Sequence, residues 1–154
     1  MCPTRVTARL RMSLTVCVTA LLSFAACASP TRDEPPAPSA PNASVAVGAT
    51  FTLAPGESVA VEGTSLSLVF ARVAGDSRCP SSVQCVWAGS ARLAMFATHA
   101  GTPRDFEIET RPPRDTVTVG SYLIRLVRVS PERTTTDTIP LAAYRATLQV
   151  HRPN

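Results

Sequence analysis

From residue 49 onward, apolar and polar side chains alternate with a period of two, and no stretch carries convincing helical periodicity. The clearest run sets Tyr144, Ala146, Leu148 and Val150 against Arg145, Thr147, Gln149 and His151, the pattern of a strand with one face buried and one wet. Leu66, Leu68 and Phe70 alternate with Ser65, Ser67 and Val69, and Phe106 and Ile108 alternate with Asp105, Glu107 and Glu109. Such runs predict half-buried antiparallel strands. In 122–129 the alternation slips, because Arg125 and Arg128 cannot both face solvent in strict register. A β-bulge near Val127 reconciles them.

The punctuation between runs agrees. Ala54-Pro55-Gly56-Glu57 has Pro and Gly at the central positions of a type II turn, and further breaks fall at Gly63-Thr64, Gly101-Thr102-Pro103 and Pro112-Pro113. About eight closely spaced strand candidates predict an all-β fold, an antiparallel β-sandwich, immunoglobulin-like or a small open barrel, with the sandwich preferred. The polar stretch 130–140, with a proline near each end, predicts an exposed loop.

Ahead of this domain the pattern changes twice. Residues 1–26 have the parts of a secretory signal: basic Arg5, Arg9 and Arg11, an apolar stretch over 12–24, then small Ala25 and Ala26. The apolar stretch is shorter than the about 20 residues a membrane-spanning helix needs. The end, Leu22-Ser23-Phe24-Ala25-Ala26-Cys27, resembles the lipobox of bacterial lipoproteins, with Phe24 where an aliphatic residue is usual. That resemblance implies lipidation of Cys27, which then becomes the N-terminus. Residues 27–48 interleave Pro30, Pro35, Pro36, Pro38 and Pro41 with Ala and Ser and read as a linker. Such composition buries too little apolar surface to offset its ordering entropy. At about 3.1 Å per residue, some 20 residues of extended polyproline reach roughly 60 Å.

Charge and cysteine content refine the address. The net charge of +4 shrinks once the signal is removed, leaving 12 arginines against 11 acidic residues. No basic footprint for nucleic acid remains. Of five cysteines, Cys2 and Cys17 lie in the signal, so lipidation of Cys27 leaves Cys79 and Cys85 as one pair. In an oxidising compartment that pair predicts a disulfide.

The densest cluster of unusual residues runs from Gly75 to Gly89 and contains the chain's one tryptophan, Trp87. Its DSRCPSSVQCVWAG stretch resembles a family of bacterial secreted and lipoprotein domains that carry a DSRCP segment followed by C-x-W-A-G. Asp76, Ser77, Arg78, Cys79, Pro80, Cys85, Trp87, Ala88 and Gly89 match it. The resemblance implies an exported domain and no particular activity. The residues themselves predict a structural role: the disulfide pins a loop crossing between sheets, Trp87 packs in the core, Gly89 permits a turn, and Asp76 pairs with Arg78 or caps backbone amides. The alternative is that the closed loop over 80–84 is displayed as a rigid binding surface.

Catalytic chemistry finds no recognisable pattern. His99 and His151 are isolated and expected to be solvated, Cys79 and Cys85 lack redox C-x-x-C spacing, and no G-x-S-x-G sequence occurs. Asp105, Glu107 and Glu109 share one strand face and could converge on calcium, but any solvated strand face has this spacing. The expectation is a lipid-anchored envelope protein, outer-membrane and periplasm-facing in a diderm, with a non-catalytic binding or structural domain. It is expected to have no cofactor or metal, its partners being the membrane and an envelope protein or ligand. The alternatives are a secreted protease-inhibitor-like protein and an enzyme whose residues converge only in three dimensions.

Overall fold

A computed structural model describes residues 43–152. Residues 1–26, read from the sequence as a signal, Cys27 and most of the 27–48 stretch read as a linker lie outside the described residues. Nine strands form among the residues described: β1 (Ala43–Val45), β2 (Thr50–Leu53), β3 (Ser58–Val61), β4 (Leu66–Asp76), β5 (Ala91–His99), β6 (Thr102–Glu109), β7 (Thr116–Val119), β8 (Tyr122–Ser130) and β9 (Arg145–His151). A 3-10 turn, Leu141–Ala143, precedes β9. The strands form a five-stranded sheet, β1-β3-β4-β5-β6, and a four-stranded sheet, β2-β9-β8-β7. The architecture is a β-sandwich.

The alternation read from the sequence is the alternation of burial. Leu66, Leu68 and Phe70 from β4, Leu93, Met95 and Ala97 from β5, and Ile108 from β6 meet Ile124, Leu126, Ala146, Leu148 and Val150 from the facing sheet in one apolar core. Each buried Leu, Ile, Phe or Met contributes roughly 1.5–3 kcal/mol relative to exposure. The slip in β8 is a bulge: Leu126 pairs with Leu148 and Arg128 with Thr147, leaving Val127 between them and 52% exposed. The long β4 carries two such irregularities, at Ala71 and Ala74. At the 54–57 turn the Glu57 amide donates to the Ala54 carbonyl at 3.0 Å, and Gly56 has φ 86°. That positive φ is what type II geometry asks of its third residue.

Two expectations change here. β1 lies inside the stretch assigned to the linker, pairing parallel with β3. Val45 and Val47 pack against the core, so the apolar alternation Val45-Ala46-Val47 outweighs the proline-rich composition before it. His99 and His151 are both partly buried rather than solvated, the ring of His99 lying edge-on to Tyr122 with centroids 5.6 Å apart.

Strand direction gives the sandwich two unlike ends. One end carries only short connections: 46–49, 62–65, 100–101 and 120–121. The other, the loop end, carries the 54–57 turn and the longer connections 77–90, 110–115 and 131–144.

Candidate functional site: a pinned loop at one end of the sandwich

The 77–90 segment joins β4 to β5, neighbours in one sheet. It is therefore an elaborated hairpin connection and not a crossing between sheets, since Asp76 and Ala91 are themselves paired. Its neck is held on both sides. The Ser77 amide and hydroxyl both donate to the Ser90 carbonyl, at 2.9 and 3.0 Å, the Ser90 amide donates to Ser77 Oγ at 3.0 Å, and the Cys79 amide donates to the Ala88 carbonyl at 3.1 Å. Gly89 has φ +62°, and a Cβ there would collide with the Ser77 carbonyl. The glycine thus serves both the left-handed backbone and the close approach across the neck. Beyond the neck, Cys79 and Cys85 form the expected disulfide, with Cα atoms 5.9 Å apart.

Below the neck, Asp76 and Arg78 lock the loop to the sandwich. Asp76 Oδ1 accepts from the Arg78 backbone amide at 3.1 Å and from Nε at 2.9 Å, and Oδ2 accepts from Arg78 Nη2 at 2.7 Å and from the Tyr144 hydroxyl at 3.0 Å. Arg78 Nη1 continues to the Val129 carbonyl at 2.8 Å, and Arg133 Nη1 donates to the Asp76 carbonyl at 2.7 Å. Asp76 both pairs with Arg78 and caps an amide, as the sequence predicts. The pair is largely buried, with side-chain exposures of 6% for Asp76 and 13% for Arg78. Burial alone would raise the Asp76 carboxyl, but the hydrogen bonds from Arg78 and Tyr144 outweigh it and hold it below its ordinary value. The same carboxylate raises Arg78, while burial and donation to Asp76 raise the Tyr144 phenol.

The 131–144 connection supports the loop from the side. The Ser81 amide donates to the Arg133 carbonyl at 3.0 Å and the Ser82 amide to the Thr134 carbonyl at 3.2 Å, while Pro80 between neck and loop is buried. Sequence pattern does not single out Tyr144, Arg133 or Val129 as part of this site. They lie more than 50 positions from Asp76 or Arg78, and nothing local marks them.

Trp87 reverses the expectation. It is 81% exposed, beside Val86 at 90% and with Val83 at 46%. The indole packs no core. Continuing the buried alternation of Ala91, Leu93 and Met95 backwards through 89 would place residue 87 inside, but the positive φ of Gly89 ends the strand register first. Substitution should show this directly: Trp87→Ala is expected to change the unfolding free energy by no more than about 0.5 kcal/mol. A core tryptophan would lose about 3–5 kcal/mol, so urea denaturation separates the two.

The remaining candidates do not gather around the loop. A shallow hollow beside the neck is lined by Gly75, Asp76, Ser77, Ser90, Arg92 and Glu109, and its Glu109 is already engaged: Ser90 Oγ donates to Oε2 at 2.9 Å, and Arg114 Nη1, from outside the hollow, donates to Oε1 at 3.0 Å. Those two donors hold the Glu109 carboxyl below its ordinary value. Glu107 faces Arg92 at 3.3 Å. Two of the three carboxylates on the β6 face are therefore matched by arginines, and no group of three or more His, Cys, Asp or Glu residues gathers among the described residues.

No known family, curated protein or solved structure matches the chain. Its function is therefore argued from the loop, the exposed apolar residues it carries and the N-terminal sequence.

Proposed function

We propose that this is a lipid-anchored protein of the bacterial cell envelope whose β-sandwich is a non-catalytic module presenting the 77–90 loop for binding. One observation carries the binding reading: Trp87 is 81% exposed on a loop whose base is fixed by a disulfide, a neck ladder and a buried ion pair. Ordering a loop before association removes part of the entropy cost of binding, and tryptophan is among the residues that most often dominate an interface. The address is supported by the signal pattern, the lipobox resemblance at Cys27 and the proline-rich segment after it. The resemblance of Asp76 to Gly89 to exported bacterial domains points the same way.

A protease-inhibitor loop would share the rigid display. It fits less well, because the Ser81 and Ser82 amides are engaged by the 131–144 connection and are not free to pair with an enzyme's strand.

Intact mass and membrane fractionation of the full chain, wild type against Cys27→Ala, test the address. A wild-type protein of acylated mass in the membrane fraction, with both properties lost in the variant, is the expected result. A soluble wild type without acyl mass would return the protein to the secreted class.

A further inference from the structure

Six large apolar side chains are conspicuously exposed among the described residues, and four of them, Val83, Val86, Trp87 and Leu141, belong to connections at the loop end. The other two, Phe96 and Val127, lie within β5 and β8. The direction of β1 adds a second, independent fact. β1 runs parallel to β3, with Ala43 opposite Val59 and Val45 opposite Val61, and β3 runs from the 54–57 turn at the loop end toward the short-turn end. The chain therefore enters the sandwich from the loop end, the end that bears Trp87.

We infer that the loop end is a membrane-docking surface, with Trp87, Val86 and Val83 seated in the headgroup region of the bilayer that holds the N-terminal lipid. This rests on the anchored reading above. Tryptophan suits that region because its ring is apolar while its N–H finds water or headgroup oxygens. A chain lipidated at Cys27 joins the sandwich at the loop end, so that end has the shortest connection along the chain to the anchor. The tether makes docking an intramolecular event at high effective concentration, so a small apolar patch suffices. Charge does not drive the contact: exposed Arg111, Arg114 and Arg145 at this end are offset by exposed Glu57, Glu132 and Asp137. The docking is accordingly insensitive to salt, unlike that of a polybasic surface.

Trp87 is the chain's one tryptophan, so its fluorescence reports the site without labelling. The test reconstitutes the full exported protein in vesicles of mixed zwitterionic and anionic phospholipid, with and without brominated acyl chains, and records its intact mass. Acylated protein whose Trp87 emission moves to shorter wavelength and is quenched by the brominated lipid, equally at low and high salt, supports docking. Acylated protein whose Trp87 stays open to aqueous iodide and untouched by brominated lipid overturns docking and leaves the anchor standing. Trp87 shielded from both quenchers also overturns it, in favour of a protein partner or second copy. If the mass shows no acyl chain the anchor fails separately, and brominated-lipid quenching of that product decides docking on its own. As a second variant, Val86→Ser alters no packed residue and is expected to weaken the quenching of Trp87 by brominated lipid severalfold in the acylated protein. Unchanged quenching would overturn the assignment of Val86 and its neighbours to the docking surface.

Discussion

Asp76→Ala is expected to lower the unfolding free energy of the domain by about 3 kcal/mol. The loss comes less from the missing attraction than from what is left behind. Arg78, only 13% exposed, keeps its charge but loses the carboxylate that accepts from its amide, Nε and Nη2, and the Tyr144 hydroxyl loses its acceptor. A buried ion without its partner is among the costlier defects in a fold. Tyr144→Phe, which removes one donor and strands no charge, should cost only about 1 kcal/mol. A double-mutant cycle between Asp76→Ala and Arg78→Ala should return a coupling of about 2 kcal/mol. Losses under about 1 kcal/mol for Asp76→Ala would show that the carboxylate is hydrated in solution and that the lock does not operate.

Acid should expose the same lock. The folded-state carboxyl of Asp76 lies below its ordinary value, so the stability it contributes is fully present above the unfolded carboxyl pKa of about 3.9 and is lost as pH falls through the folded value. Urea midpoints for wild type and Asp76→Asn should therefore differ most near neutral pH and converge below that range. A constant difference down to the acid limit would mean that the depressed pKa is not what the variant removes.

Which features are legible in the sequence follows from the range over which each is determined. Period-two alternation is a local property, and it locates most of the strands, the bulge at Val127 and the inward set of β9. The disulfide follows from cysteine arithmetic. β1 escapes a reading by composition because its three residues follow a proline-rich run that dominates any window wide enough to judge them. Tyr144 reads as one more inward residue of an alternating run, and its hydroxyl acquires a role only when β9 brings it under Asp76. Trp87 misleads for the opposite reason. A lone tryptophan is expected in the core, and one backbone dihedral at Gly89 overrides that expectation.

That dihedral gives the second large effect. Gly89→Ala is expected to destabilise the domain by about 3 kcal/mol or more, lowering the melting temperature by roughly 10 °C or more. A positive φ alone would cost a residue with a Cβ only about 1–2 kcal/mol. The remainder is steric: the new methyl would overlap the Ser77 carbonyl carbon and oxygen across the neck. That backbone cannot retreat, since the Ser77 and Cys79 amides are bonded to Ser90 and Ala88, and Asp76 and Arg78 on either side of Ser77 are held by the ion pair. Gly63→Ala is the matched control, with φ +67° and nothing within 4 Å of the position its Cβ would take. It carries the dihedral cost without the collision. If the two variants melt alike, the neck is open in solution and the display of Trp87 loses its rigid base. If Gly89→Ala melts far lower while its unfolding rate rises without a change in folding rate, the neck closes after the sandwich core has assembled. The loop end is then a late addition to a fold already specified by its alternating strands.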